Sequence, residues 1–532
     1  MLNTTQYSSP EIGVESCAGG MTTGHRFSPT STRRLCALLA AFLFILVQST
    51  DAAAPKKKAQ AKKTIAASPD RPVASGNTLE ERLASLLRSQ VAVTSTTSIQ
   101  IVEVETGRVV GERNSHQAVT PASNMKLFTT AAALDLLGAD FEFRTTVSVR
   151  GEVDSQGTLR GDVKVTGRGD PTIGGRFHDG QATAVIQRWA EELKRSGVRT
   201  IGGNLIFEHG YFDTEYVHPS WPKDQLVNWY EAPVAALSMQ EGCVMVRVLP
   251  SKPGARAIVR MEPPNRYMTV ENSCVTGAGR GVFITRKLSS NDIIVRGNVP
   301  ARSGATEVFV TVMNPLHYFA NVAHDTFERS GIRVLGQVQL VPRDPNSDWR
   351  TVSEHRTPLA IVNFVINKKS QNHYAEQLLK TIGAETRNDG SFAGGSAAIH
   401  HWLVDKLGVD PAHVSQADGS GMSRLNQATA SAFIAVLRHV WKTPHRREFV
   451  SSMPYSGESD SRLRRRLGQQ PYARQVYAKT GYISGVIGLS GYVHAGSGKV
   501  YAFSFLFNSY RTGVWGVYNL QDELLKEIIR NG

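Results

Sequence analysis

Two side chains able to do nucleophilic chemistry lie three residues apart in Ser123-Asn124-Met125-Lys126. Residues at i and i+3 share a helix face, so on a helix the hydroxyl and the amine can meet. A serine hydroxyl is a weak nucleophile until a neighbouring base takes its proton. A lysine can be that base when burial and nearby cations depress its pKa. The residues that follow, Leu127-Phe128-Thr129-Thr130-Ala131-Ala132-Ala133-Leu134, are apolar or small on every side, the pattern of a buried helix, and Gly138 can cap its end. Ser123 then falls at the helix start, where unpaired backbone N–H groups suit a developing oxyanion. Ser-x-x-Lys is short enough to arise by chance, so its weight depends on the rest of the chain.

That chain has 532 residues, 41% of them hydrophobic, four cysteines and a formal net charge of +14. The length exceeds one typical domain. A basic balance suits an anionic surface, an acidic polymer or nucleic acid. No RNA-recognition, zinc-finger or helix-turn-helix pattern is present, which disfavours nucleic acid, and no Cys/His cluster has metal-ligand spacing. Arg33-Arg34, the apolar run 35–47 and the small residues 49–54 read as a secretory signal peptide over residues 1–54. Met21 is an alternative start that would shorten a long basic leader, and an uncleaved membrane anchor is the competing reading. With an export signal and no wall-anchoring or carboxy-terminal membrane segment in the sequence, a periplasmic location is expected. Residues 55–76, with Lys56-Lys57-Lys58 and Lys62-Lys63, read as a basic disordered linker able to touch membrane or wall.

Strand-like alternation over 97–104 precedes the Ser123 helix. Residues 142–342 alternate short β-rich runs with Gly, Asp and Asn turns and read as one or two inserted, mostly β domains. Helical spacing returns at 358–366, 373–382 and 394–407, followed by strands at 485–495 and 500–508 and a closing helix at 518–529. Segments 77–141 and 343–532 would together build one α+β domain around the insertion. After signal removal Cys243 and Cys274 are the only cysteines left. In an oxidising compartment they are expected to pair, with two buried free thiols as the alternative.

Two further motifs follow. Asp418-Gly419-Ser420-Gly421-Met422-Ser423-Arg424-Leu425-Asn426 precedes a helix, and Lys479-Thr480-Gly481 opens a strand. Ser-x-x-Lys, a Ser/Asn element and Lys-Thr-Gly in that order resemble the serine penicillin-recognising enzymes. Ser123 and Ser423 are 300 residues apart, but Ser423 and Lys479 only 56. That large insertion resembles the low-molecular-mass class C penicillin-binding proteins, the D-alanyl-D-alanine carboxypeptidases/endopeptidases. Gly167-Arg168-Gly169-Asp170-Pro171-Thr172, Pro219-Ser220-Trp221-Pro222, Tyr230-Glu231-Ala232-Pro233 and Asn372-His373-Tyr374-Ala375-Glu376-Gln377-Leu378-Leu379 add to the likeness, which spans about residues 80–530.

The resemblance implies an α+β transpeptidase-type fold, hydrolysis of D-Ala-D-Ala termini or D-alanyl cross-links in peptidoglycan stem peptides, and inhibition by β-lactams. It implies no metal and no organic cofactor. It makes Ser123 the nucleophile, Lys126 its base and Ser423 the relay of a proton to the leaving amine. Lys479 and Thr480 would hold the terminal carboxylate, and the N–H groups of Ser123 and of Tyr482, just after Gly481, would form the oxyanion hole. Asn426 would orient the substrate peptide, although strict Ser-x-Asn spacing points to Leu425, so that register stays open. Asp224 and Tyr230 are the acidic and aromatic candidates for a stem-peptide pocket. Asp460-Ser461-Arg462-Leu463 departs from the family's Asp-Gly-Thr-Leu. His373 and Glu376 read as helix packing, and Arg462, Arg464, Arg465 and Arg466 as a solvated face. A β-lactamase or esterase of the same superfamily is disfavoured by the long insertion and the lack of Tyr-x-Asn. A non-catalytic peptidoglycan-binding scaffold is disfavoured by intact Ser123, Lys126, Ser423 and Lys479.

Overall fold

The computed structural model describes residues 73–279 and 281–532, within a unit running from Ala67 to Gly532. The signal segment and linker residues 55–72 lie outside the described residues. Five antiparallel strands form the sheet on which the Ser123 region rests, in the order Val476–Ile483, Val486–His494, Val500–Asn508, Thr96–Glu103, Val109–Arg113. Its centre joins the two ends of the described chain, with Thr96 opposite Asn508 and Glu103 opposite Tyr501. The strand Val500–Asn508 is buried along nearly its whole length because both sheet faces are covered. Alternation sends Phe503, Phe505 and Phe507 to one face, against the helices Leu79–Leu87 and Gly513–Asn531. It sends Ala502 and Leu506 to the other, against the helices Lys126–Leu136 and Ala430–Lys442.

Every residue of the Lys126 helix from Lys126 to Leu134 is buried. Its apolar side chains pack among the helices Leu359–Lys368, Asn372–Arg387, Phe392–His401 and Ala430–Lys442, with Phe128 stacked on Phe433 at 4.3 Å. The two buried threonines find acceptors: Thr130 Oγ1 donates to Lys126 O at 2.8 Å and Thr129 Oγ1 to Gly419 O at 2.9 Å. Gly138, at φ +86°, ends the segment in the left-handed conformation that a C-terminal cap demands.

A separate apolar cluster forms from residues between Val147 and Ile332. A seven-stranded mixed sheet carries it, with the helices Ala184–Arg195 and Pro315–Arg329 packed alongside. The strand Arg350–Pro358 pairs antiparallel with Glu142–Val153, so this sheet extends past residue 342 and ends where the helix at Leu359 begins. Two smaller sheets complete the region. Helices and sheets, antiparallel in the Ser123 layer and mixed in the inserted region, are segregated, an α+β architecture. Among the described residues, no helix is long and apolar enough to cross a membrane.

The expected Cys243–Cys274 disulfide is absent: both thiols are free and buried. Cys243 opens the strand Cys243–Leu249 of the three-stranded sheet, whereas Cys274 lies between the strands Thr269–Asn272 and Val275–Thr276 of the four-stranded one. Each thiol behaves as a small apolar filler of its own layer. Peptide mapping of the unreduced protein should therefore recover Cys243 and Cys274 in uncrosslinked peptides; a joined pair would contradict this packing.

Candidate active site

Ser123 lies in a 3-10 turn, Ala122–Met125, that runs directly into the Lys126 helix. Ala122 holds a left-handed φ of +48°, a costly conformation for a residue with a Cβ. Three glycines let neighbouring backbone close around this turn. A Cβ on Gly421 would lie 1.9 Å from Ala122 O and 3.0 Å from Ser123 N. Gly481 and Gly488 face each other across two strands, and a Cβ on either would strike the Asn124 amide, at 2.5 Å and 2.1 Å. Asn124 thereby wedges the Ser123 turn onto the strand of Lys479-Thr480-Gly481.

Lys126 is fully buried. Its Nζ lies 3.2 Å from Ser123 Oγ, 2.7 Å from Asn372 Oδ1 and 2.6 Å from the Ser420 carbonyl. The last two are pure acceptors. A neutral amine has two N–H bonds and one lone pair. With both N–H groups spent on Asn372 and Ser420, the lone pair is left for the Ser123 hydroxyl proton. Burial pushes the Lys126 amine down to about 7, against the pull of the Glu376 and Asp418 carboxylates. The base is thus available near neutral pH.

Lys479 is buried as well, and its Nζ donates to Ser370 Oγ at 2.7 Å and to Thr480 O at 2.9 Å. Burial, then the charges of Lys126 and Arg462, hold it well below its ordinary value, so an incoming carboxylate would restore its charge. Its strand, Val476–Ile483, is the edge of the five-stranded sheet. Ala478 N–H donates to Pro454 O off that edge. By the two-residue alternation of an antiparallel strand, the Tyr482 N–H points off the same edge. The Tyr482 side chain is 47% exposed and Thr480 is half-buried.

The element between the two lysine motifs is where sequence and structure part. Ser423 and Asn426 do not join the cluster. Ser423 Oγ lies 2.6 Å from Ser220 Oγ and accepts from Leu425 N–H at 3.1 Å; among the described residues it bonds to neither lysine. The Asn426 amide is consumed within its own loop, donating to Asp418 Oδ1 and Ser423 O and accepting from Ala417 N and Asp418 N, so nothing remains to orient a substrate. Leu425 is an exposed apolar side chain. Ser370-Gln371-Asn372 takes the expected place instead: Ser370 reaches Lys479 and Asn372 reaches Lys126. Ser370 holds φ +57°, and Asn372 opens the Asn372–Arg387 helix. The signal was in the chain, since these residues read literally Ser-x-Asn. The Asp418 loop drew attention away from them; it contributes the Ser420 backbone carbonyl, which no side-chain motif reveals.

Asp224 is exposed. Tyr230 OH donates to Gln225 Oε1 at 3.2 Å and accepts from Asn228 Nδ2 at 3.0 Å, while its backbone carbonyl accepts from Asn372 Nδ2 at 2.7 Å. The residue that sequence reasoning passed over is Glu231. It is buried with neither carboxylate oxygen hydrogen-bonded, and burial plus the neighbouring Asp224 charge push it up to about 8. Arg462 is exposed, and its charge bears on both Lys126 and Lys479. Arg466 is instead paired with Asp522 at 2.6 Å.

Acyl transfer through a serine is the chemistry such a lysine-backed hydroxyl can do, and the helix-covered antiparallel sheet behind it places the chain among the serine penicillin-recognising enzymes. Within that class it belongs to the D-Ala-D-Ala carboxypeptidase 3 (S13) family, whose profile matches residues 79–519. It is 33% identical over 449 residues to a D-alanyl-D-alanine carboxypeptidase of Actinomadura sp. (strain R39), covering 81% of each chain. It is 25% identical over 419 residues to the D-alanyl-D-alanine carboxypeptidase DacB of Haemophilus influenzae, covering 77% of this chain and 85% of that one. The crystal structure of penicillin binding protein 4 (dacB) from Haemophilus influenzae superposes with a TM-score of 0.72 at 22% identity, over 84% of this chain and 99% of that one.

Two outcomes follow for the acylation rate. Ser370→Ala and Asn372→Ala should each slow acylation by about 10²-fold or more, while Ser423→Ala stays within roughly threefold of the parent; the reverse ranking in a stopped-flow assay would return Ser423 to the site. The rate should also fall as pH drops through about 7, because protonation of Lys126 removes the base. A rate that stays flat well below that pH would mean another group takes the proton.

Proposed function

We propose that Ser123 and Lys126 carry the serine D-alanyl-D-alanine carboxypeptidase activity of this family, acting on D-Ala-D-Ala termini and D-alanyl cross-links of peptidoglycan stem peptides. The observation that carries the reading is the buried Lys126 amine, whose two carbonyl acceptors leave its lone pair to the Ser123 hydroxyl. Ser123 Oγ attacks the D-alanyl carbonyl carbon as its proton passes to Lys126. The N–H groups of Ser123 and Tyr482 take the oxyanion. Ser370, which accepts from Lys479, relays the proton taken up by Lys126 to the leaving amine, regaining its own as it gives one up, and the C–N bond breaks. Lys479 and Thr480 hold the substrate's terminal carboxylate, with Gly481 keeping the strand close to Asn124. Water then hydrolyses the acyl-serine ester.

Asp224 and Tyr230, with Glu231 beside them, face the role of receiving the stem-peptide side chain. A β-lactam presents a strained amide next to a carboxylate, and it would acylate Ser123 and leave slowly. A relative's structure, penicillin binding protein 4 (dacB) from Haemophilus influenzae, was solved complexed with a novel β-lactam. The same reading takes 77–141 and 343–532 as the peptidase domain and 142–342 as its insertion, with the strand Arg350–Pro358 joining the insertion's sheet before the chain re-enters the helices at Leu359. It places the chain in the periplasm, with the basic residues 55–76 as a tether near membrane or wall.

Intact-mass analysis after incubation with benzylpenicillin should give one adduct on the parent protein and none on Ser123→Ala. A folded parent without an adduct would sink the acyl-serine reading and favour a wall-binding scaffold. Digests of stem peptides and cross-linked dimers would then sort carboxypeptidase from endopeptidase.

A further inference from the structure

Glu376 lies one turn beyond Asn372 on the Asn372–Arg387 helix, fully buried, and makes no hydrogen bond to Lys126. Its oxygens go to backbone instead. Oε2 accepts from Gly419 N–H and Oε1 from Ser420 N–H, each at 2.8 Å. The peptide unit between Gly419 and Ser420 is therefore held at both ends, because Thr129 Oγ1 donates to its carbonyl at 2.9 Å. The next unit is held the same way: Gly421 N–H donates to Asp418 Oδ1 at 2.7 Å, and the Ser420 carbonyl accepts from Lys126 Nζ at 2.6 Å. Asp418 is itself saturated, taking Ser423 N–H at 2.6 Å, Trp221 Nε1 at 2.9 Å and Asn426 Nδ2 at 2.8 Å. Two buried carboxylates thus aim one carbonyl at one amine.

An apolar core would not need a charge at position 376. The two adjacent N–H donors go to two separate oxygens, and a glutamine offers only one acceptor oxygen. Glu376 and Asp418 are also the negative groups that bear on Lys126, opposed by Arg462. Around Glu376 itself stand Asp418, the Ser420 hydroxyl, Lys126 and Lys380, the last anchored on Asp213 at 2.6 Å. Burial and Asp418 push the Glu376 carboxyl up to about 8, into the range where burial leaves the Lys126 amine. The two groups titrate as a pair.

We infer that Glu376 is a positioning residue of the acyl-transfer reaction: it sets the Ser420 carbonyl against the Lys126 amine and, titrating with that amine as a pair, governs how readily it accepts the Ser123 proton. The inference rests on the Ser123–Lys126 reading above.

The test is the pH profile of acylation by benzylpenicillin, across about pH 5 to 9, for the parent, Glu376→Gln and Glu376→Asp. Glu376→Gln should lower the plateau rate roughly tenfold or more and move the acidic limb down by about half a pH unit or more, since losing a negative neighbour depresses a lysine further. Glu376→Asp keeps the charge but cannot span both amides, so its plateau should fall while its acidic limb stays where the parent's is. An unmoved limb in Glu376→Gln, with only the plateau reduced, would overturn the inference in favour of a scaffold role. A parental plateau and limb would overturn it outright. If Glu376→Gln shows no cooperative melting transition, Glu376→Asp decides: a parental plateau overturns the inference, and a reduced plateau with an unmoved limb supports it. A parent that does not acylate at all would be the separate failure of the Ser123 reading.

Discussion

The fold turns on a single burial: the amine of Lys126, removed from water and surrounded by fixed acceptors. An isolated ammonium in such a place is expensive enough that the group sheds its proton rather than stay charged. The protein makes use of that cost. Carbonyl groups from Asn372 and Ser420 hold the amine in place, and the depressed pKa leaves a base beside Ser123. Lys479 is under the same constraint, buried close enough that the charge of Lys126 lowers its pKa. A carboxylate or a transferable proton brought beside them would favour the charged form of either lysine.

Holding these groups requires backbone to approach backbone. Gly421, Gly481 and Gly488 surround the Ser123 turn at distances a Cβ would not allow, and the left-handed Ala122 marks where the chain absorbs the strain. Residues from the β-rich region between 142 and 342 reach into the same neighbourhood. Tyr230 O accepts from Asn372, Trp221 Nε1 donates to Asp418, and Glu241 accepts from Gln371. Gln371 sits between Ser370 and Asn372, and Glu241 is itself left-handed at φ +59°. Loops and 3-10 turns of this region therefore buttress the Asp418 loop and the start of the Asn372 helix, the two segments that hold the Lys126 amine.

Much of this was legible beforehand. The small and apolar run after Lys126 read as a buried helix, and it is one. Alternation over Val500–Asn508 read as a strand, and the Gly138 cap was legible from its place after the apolar run. The order of Ser-x-x-Lys and Lys-Thr-Gly pointed to the right family. What went astray was the middle element. Asp418-Gly419-Ser420-Gly421 and Ser370-Gln371-Asn372 both touch Lys126, one through a main-chain carbonyl and one through a side chain. A motif search sees only side chains, and the glycine-rich loop looked the more conspicuous. The cysteines misled for a related reason: two thiols in an oxidising compartment invite pairing, but Cys243 lies on a strand of one sheet and Cys274 in a connection of another.

Local sequence decided which residues could do chemistry, because nucleophile and base lie within one helical turn and periodicity alone brings them together. It also decided the β-rich character of residues 142–342, through turn residues spaced at strand length. Only tertiary structure decided which serine and which asparagine complete the site, how far Lys126 is buried, and that Glu376 and Asp418 aim a carbonyl at its amine. Those contacts join segments up to 294 residues apart, as between Lys126 and Ser420, and depend on the distance between backbones. No local pattern encodes that distance; it emerges when the helices, the glycine-lined turns and the sheet edge have packed.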